Sequence, residues 1–121
     1  MPTFEEEIDA ARSKWVAAGK WKFQIRRPDE IDTWAIGDLQ KKGKVGEWNE
    51  PLFEKLLTCV TDWKVPGEDV LPGRGKEVPK FEFGAFRKWI RDYPDIYVEI
   101  GQAVISEIAD HRKKLEDTQK K

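Results

Sequence analysis

Few residues of this sequence carry side chains that could perform catalysis or hold a metal ion. The 121-residue chain has one histidine, His111, and one cysteine, Cys59, which lie far apart. A zinc site needs several clustered histidine, cysteine or carboxylate ligands, so this pair does not indicate one. Cys59 stands in the apolar run LLTCV without a basic neighbour to activate its thiol, which favours a core position. We expect no catalytic residue, no metal ion and no cofactor.

Two pairs of aspartates are a second candidate for chemistry. Asp29 with Asp32, and Asp92 with Asp95, could share a proton or bind magnesium if their carboxylates met. Each pair lies beside a proline at a predicted helix start, where aspartate accepts hydrogen bonds from free backbone N–H groups. Helix capping is therefore the preferred interpretation of both pairs.

A proline- and glycine-rich segment at residues 66–79 contains GRGK, as part of a phosphate-binding loop would. A P-loop has the pattern G-x-x-x-x-G-K-[ST] between a strand and a helix, and this segment lacks both the spacing and the Ser or Thr. Its acidic residues also cancel the charge of Arg74 and Lys76, which argues against nucleic-acid binding there. Proline and glycine disfavour helices and strand ladders, so residues 66–79 are predicted to be an irregular, mobile connector.

The surrounding elements are predicted to form a single domain, residues 1–121, that is mainly α with about five helices. Apolar residues recur at helical spacing in segments bounded by capping residues, proline or glycine. The predicted helices run from Thr3 to Gly19, Asp29 to Gly43, Asn49 to about Trp63, Phe83 to Tyr93, and from Pro94 onward. Residues 21–26, WKFQIR, alternate apolar and polar side chains and predict a short extended segment without a required partner. The charged end at residues 112–121 is expected to fray.

Helical spacing also predicts which faces are apolar. The third helix is the most apolar and should bury Leu56, while Trp34 and Trp89 lie on stripes where they could fill the core or contact a partner. The last helix has a main stripe of Ile96, Ile100, Val104 and Ile108, and a second stripe of Val98, Ile105 and Ala109. The second stripe is either a contact surface for another chain or is covered within the monomer by helix 83–92 or the first helix.

The balance of charge gives no reason to expect a strongly charged partner. The chain has 22 basic and 23 acidic residues, so no overall field favours nucleic acid or an anionic membrane. No apolar run approaches the roughly 18 residues of a membrane span, which predicts a cytoplasmic protein without a membrane partner. Only KWKFQIRR interleaves aromatic rings, those of Trp21 and Phe23, with basic side chains. This segment keeps open the alternative of a protein that binds single-stranded nucleic acid.

From about residue 58 to residue 108 the order of features resembles the small tail assembly chaperones of long-tailed bacteriophages, the family of the lambda G protein. In many of these proteins a Trp-containing turn follows a Leu-rich helix, and a Gly-rich loop leads to a proline, a phenylalanine and a short helix. A D-x-P sequence then opens the last helix. The matching residues, within VTDWKVPGED and PKFEFGAFRKWIRDYPDIYVEIGQAV, are Asp62, Trp63, Lys64, Pro79, Phe81, Trp89, Asp92 and Pro94. The stretch FQIRRPDEIDTW also resembles the family's extended segment and the helix after it.

The resemblance implies a helical, non-enzymatic protein of the host cell cytoplasm that binds the tape measure protein and tail tube subunits and is absent from the mature virion. The matching residues would then be structural. Val98, Ile105 and Ala109, with Trp21 and Phe23 of the extended segment, would be candidate contacts for the tape measure protein or for another copy of the chain. In this family a frameshift often adds a C-terminal extension to a minority of copies. Alternatives are a minor phage protein retained in the virion and a small single-stranded nucleic-acid-binding protein.

Overall fold

The computed structural model describes residues 1–119, in which helices predominate, as predicted, while a small sheet makes the fold mixed rather than purely helical. These residues form six helices and a small three-stranded antiparallel sheet. In chain order the elements are α1 (Phe4–Arg12), β1 (Ser13–Ala18), β2 (Trp21–Arg26), α2 (Glu30–Lys42), α3 (Glu50–Leu57), β3 (Val60–Lys64), α4 (Gly67–Val70), α5 (Phe83–Ile90) and α6 (Pro94–Gln119). Most of the tail at 112–121, predicted to fray, lies within α6, and its last two residues lie outside the described part.

β1 and β2 form a hairpin in place of the second half of the predicted first helix. Ala18 pairs with Trp21 in antiparallel register, so Gly19 and Lys20 make a two-residue turn. Gly19 has a φ of 59°, a left-handed value that such a hairpin turn requires and that glycine adopts without strain. α1 therefore ends at Arg12, and Gly19 is a turn residue rather than the helix stop that was predicted.

β3 replaces the end of the predicted third helix. α3 stops at Leu57, and Val60–Lys64 pair antiparallel with β2, with a bulge between Gln24 and Ile25. β2 is therefore the central strand, hydrogen-bonded on both sides, and not an extended segment without a partner. Pairing with a distant part of the chain outweighs the helical spacing of the local sequence.

The inner face of the sheet lies at the centre of the core. Trp21, Phe23 and Ile25 alternate inward on β2 and are 6%, 0% and 1% exposed. Leu56 of α3, predicted to be core, and Ile100 of α6 are fully buried in the same cluster. The assignment of Trp21 and Phe23 as partner contacts is corrected by this burial, because both rings already pack inside the chain.

The loop at residues 66–79 is more ordered than the predicted irregular connector. Gly67–Val70 form a single helical turn, and backbone hydrogen bonds close the segment on itself. The indole Nε1 of Trp21 donates to the carboxylate of Asp69, and that of Trp89 donates to the carbonyl of Asp69, each at 2.9 Å. Two tryptophans thus fasten the loop to the sheet and to α5.

α2 turns the face that carries Thr33 and Ile36, and not Trp34, to the core. Its start is as predicted, since the Asp29 carboxylate caps the helix by accepting from the N–H of Asp32 at 2.8 Å. The buried residues of α2 are Thr33 and Ile36, whereas Trp34 is 64% exposed. The indole of Trp34 is therefore available at the surface.

Candidate functional site

The described residues contain no cluster of side chains suited to metal binding. Between residues 1 and 119 there is no group of three or more His, Cys, Asp or Glu side chains that could hold an ion. Cys59 lies in the core, as predicted, and burial raises its pKa to about 11. A thiol with this pKa stays protonated at neutral pH and is a poor nucleophile.

A polar cavity of about 250 Å³ lies between α1, β2 and α2, and two ion pairs form part of its wall. Arg26 Nη1 lies 3.3 Å from Asp9 Oδ1, and Lys55 Nζ lies 3.2 Å from Asp32 Oδ1. Cys59 is the one thiol in the wall of the cavity and is itself buried. These ion pairs connect α1 to β2 and α2 to α3.

A groove of about 370 Å³, lined by both apolar and polar side chains, separates α2 from the second half of α6. We define the α2–α6 groove by Ile36 and Gly37 of α2 and by Ile105, Ile108 and Ala109 of α6, all of which line it. A groove between two helices is a shape that can accept an amphipathic helix. The groove is therefore a candidate interaction site.

Gly37 leaves the α2 side of the groove open because it has no side chain. No heavy atom lies within 4 Å of the position that a Cβ would take at this residue. Glycine inside a helix costs about 1 kcal/mol relative to alanine, so α2 is weakened at the point where the groove is open. The rim is charged and polar, with Gln40 from α2 and Arg112, Lys113 and Glu116 from α6.

The predicted second stripe of α6 divides between the core and the groove. Val98 and Ile105 are half-buried and pack against the core, whereas Ala109 is exposed. Ile105 and Ala109 line the groove. Val98 and Ile105 are thus partly covered within the monomer, and the role of the stripe in partner binding stays a prediction.

The α2 side of the groove was not identified from the sequence. Trp34, whose spacing left open a core or a partner-contact position, lines a concavity of about 650 Å³ together with Gly37 and Lys41, and this concavity continues the groove along α2. The available signal was Gly37 itself, because a glycine inside a helical pattern often marks a packing or functional constraint.

The aromatic residues of the phage-family pattern form an internal cluster. The ring centroid of Trp63 lies 5.6 Å from that of Phe81 and 5.8 Å from that of Trp89, with the rings nearly perpendicular. Trp63 Nε1 also donates to the carbonyl of Pro79 at 2.8 Å. Such edge-to-face pairs stabilise beyond their buried area. These residues fasten the end of the loop to the sheet, a structural role as the sequence predicts.

The other residues of that pattern lie at the surface. Asp62 accepts a hydrogen bond from the backbone N–H of the next residue at 2.8 Å, and Lys64 Nζ lies 4.5 Å from the ring centroid of Trp15. Asp92 is exposed in the turn before α6, and Pro94 is the first residue of that helix. None of the four lies in the α2–α6 groove.

No protein-family model, curated protein or solved structure matches this chain. Within residues 1–119, no helix combines the length and the apolar character that a membrane crossing requires. The function is therefore inferred from surface geometry and from the sequence resemblance.

Proposed function

We propose that this protein is a phage or prophage tail assembly chaperone that holds a helical segment of the tape measure protein in its α2–α6 groove. The single observation that carries the proposal is the groove itself, a trough with an apolar α6 wall on the surface of a small protein. The order of aromatic and proline landmarks supplies the choice of family. The protein acts, on this proposal, without catalysis and with tail tube subunits as a second partner.

The lining of the groove suits a transient grip on an apolar helix. Ile105, Ile108 and Ala109 present an apolar wall on α6, and Gly37 on α2 leaves room opposite it for an incoming side chain. Each large apolar side chain taken out of water contributes roughly 1.5 to 3 kcal/mol before ordering costs. Two or three such contacts give a reversible complex, as a factor absent from the finished particle needs.

Filling the groove tests the proposal with little risk to the fold. Gly37→Leu places a side chain where a Cβ meets no heavy atom, and it replaces a poor helix former by a good one. Gly84→Leu is the matched control, because Gly84 lies on α5, is exposed and also has an empty Cβ position. Co-purification with the tape measure protein should be lost in Gly37→Leu and kept in Gly84→Leu. Equal binding by both variants would refute the groove as the site.

Whether the protein is present in the mature virion distinguishes a tail assembly chaperone from a structural protein of the particle. Mass spectrometry of purified virions should detect no copies if the protein leaves before maturation. Stoichiometric copies in the virion would instead support the alternative of a minor structural protein.

The outer face of the sheet favours one further function, the binding of single-stranded nucleic acid. Trp15 is 36% exposed on β1, and Lys22 and Arg26 of β2 and Lys64 of β3 are exposed around it. An exposed ring surrounded by basic side chains can stack on a base while those side chains contact the phosphates. The carboxylate of Asp62, on the same face, would repel the phosphates. The aromatic residue involved is thus Trp15, and not Trp21 or Phe23.

Titration with oligothymidylate tests this second candidate. Three phosphate contacts to a single strand predict a slope of about −2 for log affinity against log salt. Trp15→Ala should weaken binding by about 1 kcal/mol or more. An affinity for oligothymidylate that changes neither with salt concentration nor in Trp15→Ala would exclude the sheet face as a nucleic-acid site.

A further inference from the structure

α1 is an amphipathic helix whose apolar face stays largely exposed among the residues that the structure describes. None of its residues is buried, and Phe4 is 76% and Ile8 39% exposed. Phe4, Ile8 and Ala11 fall on one stripe at 100° per residue, and Glu5 and Glu7 flank that stripe on its two sides. A nine-residue helix of this kind is marginal unless its apolar face packs against something.

The α2–α6 groove has the features that complement this helix. Its α6 wall is apolar along Ile105, Ile108 and Ala109, and its edge and continuation carry three basic side chains, Arg112, Lys113 and Lys41, against two acidic ones, Glu116 and Asp38. The first turn of α1 carries three acidic side chains, Glu5, Glu6 and Glu7. An acidic helix with an apolar stripe therefore matches a groove with one apolar wall and a small excess of basic side chains.

We infer that the occupant of the groove in the free protein is α1 of a second copy of this chain. Both the helix and the groove are present in every copy, so two copies can each insert α1 into the groove of the other. Such reciprocal exchange closes as a two-fold dimer, whereas a one-way exchange would leave an open chain of subunits. The exchange shields Phe4 and Ile8 together with the groove lining.

The inferred dimer does not depend on the proposed function. One of its consequences does rest on that function. If the groove also holds the tape measure protein, α1 of the partner copy competes for the same site and keeps the groove covered until that protein is present. Self-association of the isolated chain then decides the inference, while co-purification with the tape measure protein decides the proposed function. Failure of one is distinguishable from failure of the other.

Sedimentation of the full chain across a range of concentrations tests the exchange. Wild type should form a species of twice the monomer mass. The double variant Phe4→Ser with Ile8→Ser, in a helix without buried residues, should raise the dimer dissociation constant at least about tenfold. Gly37→Leu should do the same, and Gly84→Leu should leave the constant unchanged. Circular dichroism of each variant confirms that the fold is retained.

Complementation makes the test specific for α1 and the groove. A mixture of the Phe4→Ser, Ile8→Ser variant with the Gly37→Leu variant retains one intact helix and one intact groove, so it should form mixed dimers that neither variant forms alone. Charge reversal gives a second check: Glu5→Lys with Glu7→Lys, and Arg112→Glu with Lys113→Glu, should each weaken association, and their combination should restore it. A wild-type monomer at concentrations up to about 1 mM, or a dimer that these substitutions do not affect, would overturn the inference.

Discussion

α6 approaches α3 closely at Gly101. This contact determines whether Gly101→Ala raises or lowers the free energy of unfolding. A Cβ placed on Gly101 would lie 2.6 Å from Cδ1 and 2.7 Å from Cε1 of the Phe53 ring, and 3.4 Å from Cδ1 of Leu56. Carbon atoms in contact normally stay about 3.5 to 4.0 Å apart, so the ring must move by about 1 Å. Phe53 is stacked on Trp48, with ring centroids 4.8 Å apart, which resists that movement.

The size of the effect is the difference of two opposing contributions. Alanine in place of helical glycine stabilises a helix by about 1 kcal/mol, whereas overpacking a contact of this kind costs about 1 to 3 kcal/mol. We expect Gly101→Ala to lower the free energy of unfolding by about 1 kcal/mol. Gly37→Ala and Gly84→Ala provide matched controls, because their Cβ positions meet no heavy atom within 4 Å. Each control should raise the free energy of unfolding by about 0.5 to 1 kcal/mol.

Urea unfolding followed by circular dichroism measures all three variants under one set of conditions. The same chemical change should shift the midpoint downward for Gly101 and upward for Gly37 and Gly84, with unchanged m-values. Stabilisation of Gly101→Ala equal to that of the controls would show that α6 does not press on Phe53. The packing described here between α3 and α6 would then be incorrect.

Three other predictions follow from buried side chains. Leu56→Ala should lower the free energy of unfolding by about 2 to 5 kcal/mol in urea unfolding, because Leu56 is fully buried, and a loss below about 0.5 kcal/mol would contradict its core position. Cys59, with its pKa raised to about 11, should react with a thiol reagent at about pH 8 roughly 100-fold more slowly in the folded chain than in urea, and equal rates would refute its burial. Burial and the nearby Glu54 carboxylate raise the pKa of Tyr97 to about 12, above the unfolded value of about 10, so its neutral phenol favours the folded state below about pH 10. This contribution to stability should be lost as pH rises from about 10 to about 12, and Tyr97→Phe should reduce that loss in alkaline unfolding curves.

Helix starts and the centre of the core were accessible from the sequence because they depend on neighbouring residues. Thr3, Asp29 and Asn49 each accept the capping hydrogen bond that their position predicts. Leu56 and Cys59 are buried, as their apolar run indicates. Capping and apolar runs are local properties, so no knowledge of the rest of the fold was needed.

The sheet was missed because its strands are defined by pairing. Ser13–Ala18 and Val60–Lys64 each continue a helical spacing of apolar residues, yet both become strands on either side of β2. Gly19 followed by Lys20, between two apolar runs, was a usable signal for a two-residue hairpin. For β3 no local signal of comparable strength exists, since its partner β2 lies more than thirty positions away in the sequence.

Of the α2–α6 groove, the α6 side could be predicted from the sequence and the α2 side could not. Ile105 and Ala109 follow from the period of α6, because a long helix repeats its faces regularly. Trp34 could not be placed, because the orientation of α2 depends on whether Thr33 and Ile36 or Ile31 and Trp34 meet the core, and both sets fit the helical period. The structure buries Thr33 and Ile36, which leaves the larger pair, Ile31 and Trp34, at the surface.

The position of β2 at the middle of the sheet also sets the order in which the chain can fold. The β1–β2 hairpin closes through a two-residue turn and can form within microseconds, whereas β3 joins only after the chain has passed through α2 and α3. The rings of Phe23 and Trp21 are not covered until Phe86 and Trp89 of α5 arrive. During synthesis the inner face of the hairpin therefore stays exposed until at least residue 90 has left the ribosome, which makes incomplete chains prone to aggregation.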